Sequence, residues 1–282
     1  MTKDSTSPVR PTAAAVARVA PLIDIGVNLA HDSYDADREA VLARAEAAGV
    51  VQMVVTGSSG PSTHRAIELA RTHTGRLFAT AGLHPHHASD LTEELLAELE
   101  QLAQEPEVVA VGECGLDYFR NFSPPALQRA AFHRQLELAA RVCKPVFLHE
   151  RDAHEDFVAI LREHRASLVG GVAHCFTGNQ LQLHRYLDMG LAIGITGWIC
   201  DERRGAHLLA LMREIPADRL LLETDGPYLL PRNLPAKPFN RRNEPAYLPY
   251  VATTVAMARG ESVGQVAESS TEAARNVFNI RH

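Results

Sequence analysis

Short apolar runs recur along this chain, each closing on side chains able to bind a metal or move a proton, and helical patterns lie between them. Eight such runs are Leu22 to Val27, Val51 to Thr56, Leu77 to Leu83, Val108 to Glu113, Pro145 to His149, Val169 to His174, Leu191 to Thr196 and Leu220 to Thr224. Each is long enough for one buried strand and too short for a core helix. The intervening segments repeat apolar residues every three to four positions, as Leu91, Leu95, Leu96, Leu99 and Leu102 do, and Leu127, Ala131, Leu136, Leu138 and Ala139. Strict alternation implies parallel strands joined by right-handed crossovers. The count of eight, with chemistry at almost every strand end, predicts an α/β (β/α)8 barrel rather than an open sheet, which would gather its ligands at one switch point. The tail from Glu244 to Ile280 reads as the eighth helix plus one more, with Gly260 as the stop between them.

A chain of 282 residues suits one such domain, which typically takes about 250. Residues 21–282 are expected to form it, with 1–20 as a flexible extension. Hydrophobic residues make up 46%, enough for a sizeable core, and the formal net charge is −6. Bulk charge therefore gives no affinity for polyanions, and any nucleic-acid contact must be local. Cys114, Cys143, Cys175 and Cys200 form no C-x-x-C pair, as expected of reduced thiols in a cytoplasmic protein. Arg10 and Arg18 interrupt the Ala-rich start, and no run of about 20 apolar residues follows, so neither a signal peptide nor a membrane span is expected. No obligate protein partner is evident either.

The strand ends carry the chemistry. Glu113 follows a buried run, where an acid is costly unless it is paired or bound to a cation. A single His149 or His174 would most simply be a hydrogen-bonded core residue; two at equivalent strand ends, with Glu113 and Asp225, make a shared metal the better explanation. Asp225 suits metal binding, acceptance of a proton from the attacking water, or both, and Pro227 and Pro231 weaken its alternative reading as a helix cap. Glu223 points to the same face as a supporting acid. Asp24 and Asn28 supply oxygen, which favours hard ions, although an amide such as Asn28 often only closes a turn. His84 and His86 either ligate metal or grip a substrate phosphate. Arg151, Arg203, Arg241 and Arg242, with Arg204, Arg232 and Lys237, place positive charge at the same end of the barrel. A charge run is usually a solvated face, yet a positive rim around acids suits a phosphate-bearing substrate. Trp198, Tyr228 and Phe239 lie in the same loops and could stack bases. His133, His154, His164, His184 and His207 are expected at the surface of outer helices.

Asp-Ile-Gly-Val-Asn-Leu, Gly-Leu-His-Pro-His, Gly-Glu-Cys-Gly-Leu-Asp, His-Glu-Arg-Asp-Ala-His, His-Cys-Phe-Thr-Gly, Gly-Ile-Thr-Gly-Trp-Ile-Cys-Asp-Glu-Arg-Arg-Gly, Glu-Thr-Asp-Gly-Pro-Tyr-Leu and Arg-Arg-Asn-Glu-Pro follow in order from about Leu22 to Ile280. This series resembles the TatD family of metal-dependent deoxyribonucleases, and most closely the branch that gives the family its name. The resemblance implies an amidohydrolase-like TIM barrel that hydrolyses DNA, with 3′ to 5′ exonuclease action on single strands as the best-known activity. By the same likeness Glu113, His149, His174 and Asp225 inherit metal-ligand roles. Mg²⁺ is the expected ion, with Mn²⁺ or Zn²⁺ as alternatives and one or two ions bound. Many members begin strand one with His-x-His, where this chain has Asp24 and Gly26, and Glu150 stands where a Cys is expected.

The expected function is thus hydrolysis of phosphodiester bonds from the 3′ end of single-stranded DNA. Catalysis is assigned to Asp225, Glu113 and His84, metal binding to Glu113, His149, His174, Asp225 and Asp24, and substrate binding to His86, Arg151, Arg203, Arg241, Arg242 and Asn28. A metal-dependent amidohydrolase or aminoacyl-tRNA deacylase is the alternative, since the same constellation activates water against a carbonyl carbon. A non-enzymatic nucleic-acid-binding module is the third reading.

Overall fold

The computed structural model describes residues 20–280, so most of the extension expected over 1–20 lies outside the described residues. Eight strands form one sheet in sequence order: β1 (Leu22–Val27), β2 (Val50–Val55), β3 (Leu77–Ala81), β4 (Val108–Asp117), β5 (Val146–Arg151), β6 (Gly171–Ala173), β7 (Ala192–Ile195) and β8 (Leu220–Leu222). The helices are α1 (Arg38–Ala47), α2 (Gly60–Thr72), α3 (Glu93–Leu102), α4 (Pro125–Val142), α5 (His154–His164), α6 (Gln180–Asp188), α7 (Ala206–Leu211), α8 (Leu248–Arg259) and α9 (Val263–Phe278). Parallel ladders join each strand to the next. The seam between β8 and β1 is held differently. The Asp225 amide donates to Gly26 O at 2.8 Å, the Asn28 amide to Gly226 O at 2.7 Å, and the Thr224 amide to the Asp24 carboxylate at 2.9 Å. The barrel is nearly closed, as the eight-unit pattern predicts.

Two apolar layers hold this shape. Ile23, Ile25, Val54, Ala110, Phe147, Val172, Ala192 and Leu221 fill the barrel interior, and Ala273, Ala274 and Phe278 of α9 join the same cluster. The second C-terminal helix thus packs against the interior core, which explains why the tail carries one helix more than the eight-fold repeat requires. Its ends are written in the sequence. Ser262 and Gln265 cap its start reciprocally, and Asn279 ends it in the left-handed region at φ 51°. Gly260 ends α8 at φ 73°, as predicted. The larger cluster lies between the strands and the outer helices.

Strand bounds depart from the pattern where function begins. β4 runs beyond Glu113 to Asp117, because Gly112 and Gly115, at φ 135° and 142°, let it lie against β5. A Cβ at Gly112 would fall 2.1 Å from Phe147 O, and one at Gly115 would fall 1.9 Å from His149 O. Glu113 and Asp117, four residues apart on an extended strand, therefore face the same side. β6 and β8 stop before His174 and Asp225, leaving both on the loops that open the carboxyl-terminal face.

Candidate metal centre

The carboxyl ends of the strands enclose an open cavity of about 430 Å³, lined by Asn28, His84, His86, Glu113, Arg120, Phe122, His149, Arg151, His174, Cys175, Trp198, Asp225 and Tyr228, among others. One oxygen organises it. Glu113 Oε1 lies 2.8 Å from His174 Nε2, 3.0 Å from His149 Nδ1 and 3.4 Å from His84 Nε2. Burial alone would raise the Glu113 carboxyl, but His84, His174 and His149 outweigh it and hold it well below the usual range.

Each candidate ligand histidine has a second carboxylate behind it. His174 Nδ1 lies 3.2 Å from Glu223 Oε2, and Glu223 Oε1 accepts the Cys175 amide at 2.5 Å. His149 Nε2 is buried without a hydrogen-bond partner, 3.5 Å from Asp117 Oδ2. Burial would lower both imidazoles, yet Glu113 with Glu223 reverses the shift at His174, which is raised well above its ordinary value, and Asp117 with Glu113 raises His149. A ring with one nitrogen on a carboxylate and the other turned to a shared point is how metal-bound histidines are oriented. Asp117 is held well below the usual carboxylate range by the nearby His149 imidazole and by its hydrogen bonds to His86 and the Arg120 amide, which together overcome its own burial. Four acids, Glu113, Asp117, Glu223 and Asp225, thus meet four imidazoles, His84, His86, His149 and His174. This donor set of nitrogen and oxygen fits a divalent cation.

His84 differs from His149 and His174. Burial pushes it down to about 4, so it is neutral at neutral pH. Its Nδ1 accepts the His86 amide at 3.1 Å, so its proton sits on Nε2, the nitrogen facing Glu113. His84 is therefore a donor in this state rather than a lone-pair ligand. His86 also lines the cavity and reaches Asp117 Oδ2 at 2.8 Å through Nε2. Asp225 sits in the left-handed region at φ 54° and accepts from Asn28 Nδ2 at 3.1 Å. Burial pushes its carboxyl up to about 7.

Asp24 is placed elsewhere. It is fully buried and does not line the cavity. Its oxygens accept from the Thr224 amide at 2.9 Å, from the Thr224 hydroxyl and from the Gly26 amide at 3.3 Å. Asp24, expected as a metal ligand, thus sits in the seam, bonded to Gly26 of β1 and to Thr224 just beyond β8.

The positive rim is also redistributed. Arg151 lines the cavity, its guanidinium 4.2 Å from the Phe119 ring centroid and 5.8 Å from that of Trp198. Arg203 and Arg241 are exposed and outside the lining. Arg242 grips Asp37 with two nitrogens at 2.8 and 2.7 Å and covers the Tyr34 ring at 4.7 Å. Arg242, expected to hold a phosphate, is thus engaged in an internal ion pair. Trp198 and Tyr228 line the cavity, whereas Phe239 is wholly exposed and does not.

Asp117, Arg120, Phe119 and Phe122 were not among the residues expected here. Phe119 and Phe122 are exposed, and Phe122 meets His86 edge to face at 4.7 Å. Their signal in the sequence is Tyr-Phe-Arg-Asn-Phe directly after the Glu113 strand, an aromatic and basic loop with no packing period.

A family model described as TatD related DNase matches residues 23–279. Proteins named 3′-5′ ssDNA/RNA exonuclease TatD from Erwinia tasmaniensis and Klebsiella pneumoniae are each 51% identical, over 92% of this chain and 100% and 98% of theirs. Among solved structures, the TatD homolog YJJV of Escherichia coli superposes with a TM-score of 0.84 at 30% identity, covering 92% of this chain and 98% of that one. A hydrolase TatD family protein from Entamoeba histolytica gives the same TM-score at 28% identity, over 94% and 100%. N-isopropylammelide isopropylaminohydrolase from Burkholderia multivorans, with a TM-score of 0.61 at 14% identity, shares the fold alone.

Proposed function

This chain belongs to the TatD related DNase family, a family of metal-dependent hydrolases, and on that premise we propose that it removes nucleotides from the 3′ end of single-stranded DNA or RNA, using a divalent cation held by Glu113, His149, His174 and Asp225. Mg²⁺ is the proposed ion and the cytoplasm the proposed compartment; no described helix is long and apolar enough to cross a membrane. The observation that carries the reading is the convergence of His149 Nδ1 and His174 Nε2 on Glu113 Oε1 at 3.0 and 2.8 Å. Asp117 and Glu223 back the two rings from behind.

When bound, such an ion supplies charge neutralisation at the phosphoryl group and a nucleophilic water at neutral pH. The protein's own groups do the rest. Asp225, buried in the cavity wall, accepts the proton of the attacking water, and Asn28 holds its carboxylate at 3.1 Å. His84, neutral with its proton on Nε2, donates to a phosphate oxygen. His86, fixed by Asp117, lines the wall beside it. Arg151 and Arg120 bind phosphates, while Phe122, Tyr228 and Trp198 offer ring faces to the terminal bases. Asp24 has a structural role, standing in for a ladder bond between β8 and β1.

Polarity of digestion is the test. An oligonucleotide labelled at its 5′ end should shorten stepwise while keeping its label. Early release of the 5′ label, or internal fragments of fixed length, would contradict the reading.

A further inference from the structure

On the outside of the barrel, away from the cavity lining, two helices bring their histidines together. His133 of α4 and His164, the last residue of α5, meet with Nδ1 and Nε2 2.8 Å apart. Their rings cross edge to face, with centroids 5.1 Å apart. At that distance one nitrogen carries the proton and the other accepts it, because two N–H groups or two lone pairs would repel. Glu163 adds a carboxylate, so that the ligand atoms of all three side chains lie within 4.8 Å of one another. Other outer histidines meet single carboxylates, as His64 meets Glu98 and His184 meets Glu214. Among the described residues, only this group and the cavity cluster bring three such ligands together.

We propose that His133, Glu163 and His164 form a peripheral binding site for a borderline divalent ion of the Zn²⁺ type, separate from the cavity. Two imidazoles and a carboxylate are a donor set for zinc and its neighbours, and a poor one for Mg²⁺, which demands oxygen. The ion takes the place of the shared proton, which passes to the other nitrogen of its own ring as that imidazole changes tautomer, so both ligands stay neutral. Tetrahedral bonds of about 2.0–2.1 Å need the two nitrogens to part by only roughly 0.5 Å, a side-chain adjustment. His164 also ends α5, where the carbonyl end of the helix favours positive charge. Both rings are half-buried, which restricts their rotamers, whereas Glu163 is exposed and leaves the remaining coordination to water. Such a site ties α4 to α5, the helices that follow β4 and β5 in the chain. Those strands carry Glu113, Asp117 and His149, so zinc should stiffen this part of the barrel without entering the reaction.

The test is zinc titration of the full chain after chelation, with bound zinc counted per molecule and melting followed in parallel. Wild type should bind one zinc more than the His133→Ala variant, and Glu163→Gln should weaken that step at least tenfold. The zinc-dependent rise in melting temperature should shrink in both variants. Glu163 is exposed, so its substitution reads the site even if His133→Ala folds poorly. Identical zinc titrations and identical melt shifts in wild type and Glu163→Gln would overturn the proposal.

Discussion

The Glu223 carboxylate occupies the space that a side chain at residue 26 would need: a Cβ on Gly26 would lie 2.3 Å from Glu223 Oε2. A Cβ on Gly194 would meet Glu223 Oε1 at 2.5 Å, so two glycines on opposite sides of β8 make room for one buried acid. That acid orients His174. Glu223 thereby leaves no room on β1 for a side chain at residue 26. Gly26→Ala should displace the carboxylate, cost about 1–3 kcal/mol as overpacking does, and raise the Mg²⁺ concentration needed for half-maximal hydrolysis. A melting curve and a metal titration both matching wild type would contradict this.

Asp117 stands to His149 as Glu223 stands to His174. Asp117→Asn keeps the shape but removes the charge behind the ring, and loss of such a partner typically costs 10–100-fold in metal affinity or activity. Hydrolysis measured across a Mn²⁺ series should shift by that order. An unchanged midpoint would mean that His149 is oriented by packing alone.

Asp24 predicts a pH signature in stability. Burial raises its carboxyl to about 7 in the folded protein, from an ordinary 3.8. Between these values the folded state holds a proton that the unfolded state has lost, so stability falls as pH rises through the window and levels off above it. The loss assignable to this one group is at most about 4 kcal/mol. In chelator, the stability difference between wild type and Asp24→Asn should therefore move in favour of the variant from pH 4 to pH 7. A difference independent of pH would remove this assignment.

The proposed function divides the rim into cavity-lining groups, which should contact substrate, and internal braces. Arg151→Ala should weaken single-strand binding and reduce the salt slope by about 0.7. Phe122→Ala should cost about 1–3 kcal/mol of binding if a base stacks there. Arg242→Ala should lower stability by about 1 kcal/mol through the loss of its Asp37 pair and leave the salt slope intact. A reduced slope in the Arg242 variant would return that residue to the substrate.

The barrel was legible because its strands are apolar runs of the right length, and because Glu113, His149, His174 and Asp225 sit at or just beyond their ends. Local order carries that information. What the sequence concealed depends on partners far along the chain: Arg242 is claimed by Asp37, and Asp24 by Thr224, 200 positions away. Asp117 was missed because β4 runs on past Glu113, an extension that Gly112 and Gly115 permit and that no apolar run announces. The meeting of His133 and His164 likewise depends on how α4 packs against α5.

The most direct test of the metal centre is hydrolysis of a 5′-labelled single strand by chelator-stripped protein, titrated with Mg²⁺, in wild type and in Glu113→Gln. Wild type should fall silent on stripping and recover with Mg²⁺, while Glu113→Gln, folded by circular dichroism, should stay at least about 100-fold slower at every concentration, as expected when a group organising transition-state charge is lost. Hydrolysis that survives chelation, or a Glu113→Gln variant that recovers fully with Mg²⁺, would contradict a catalytic cation held at Glu113.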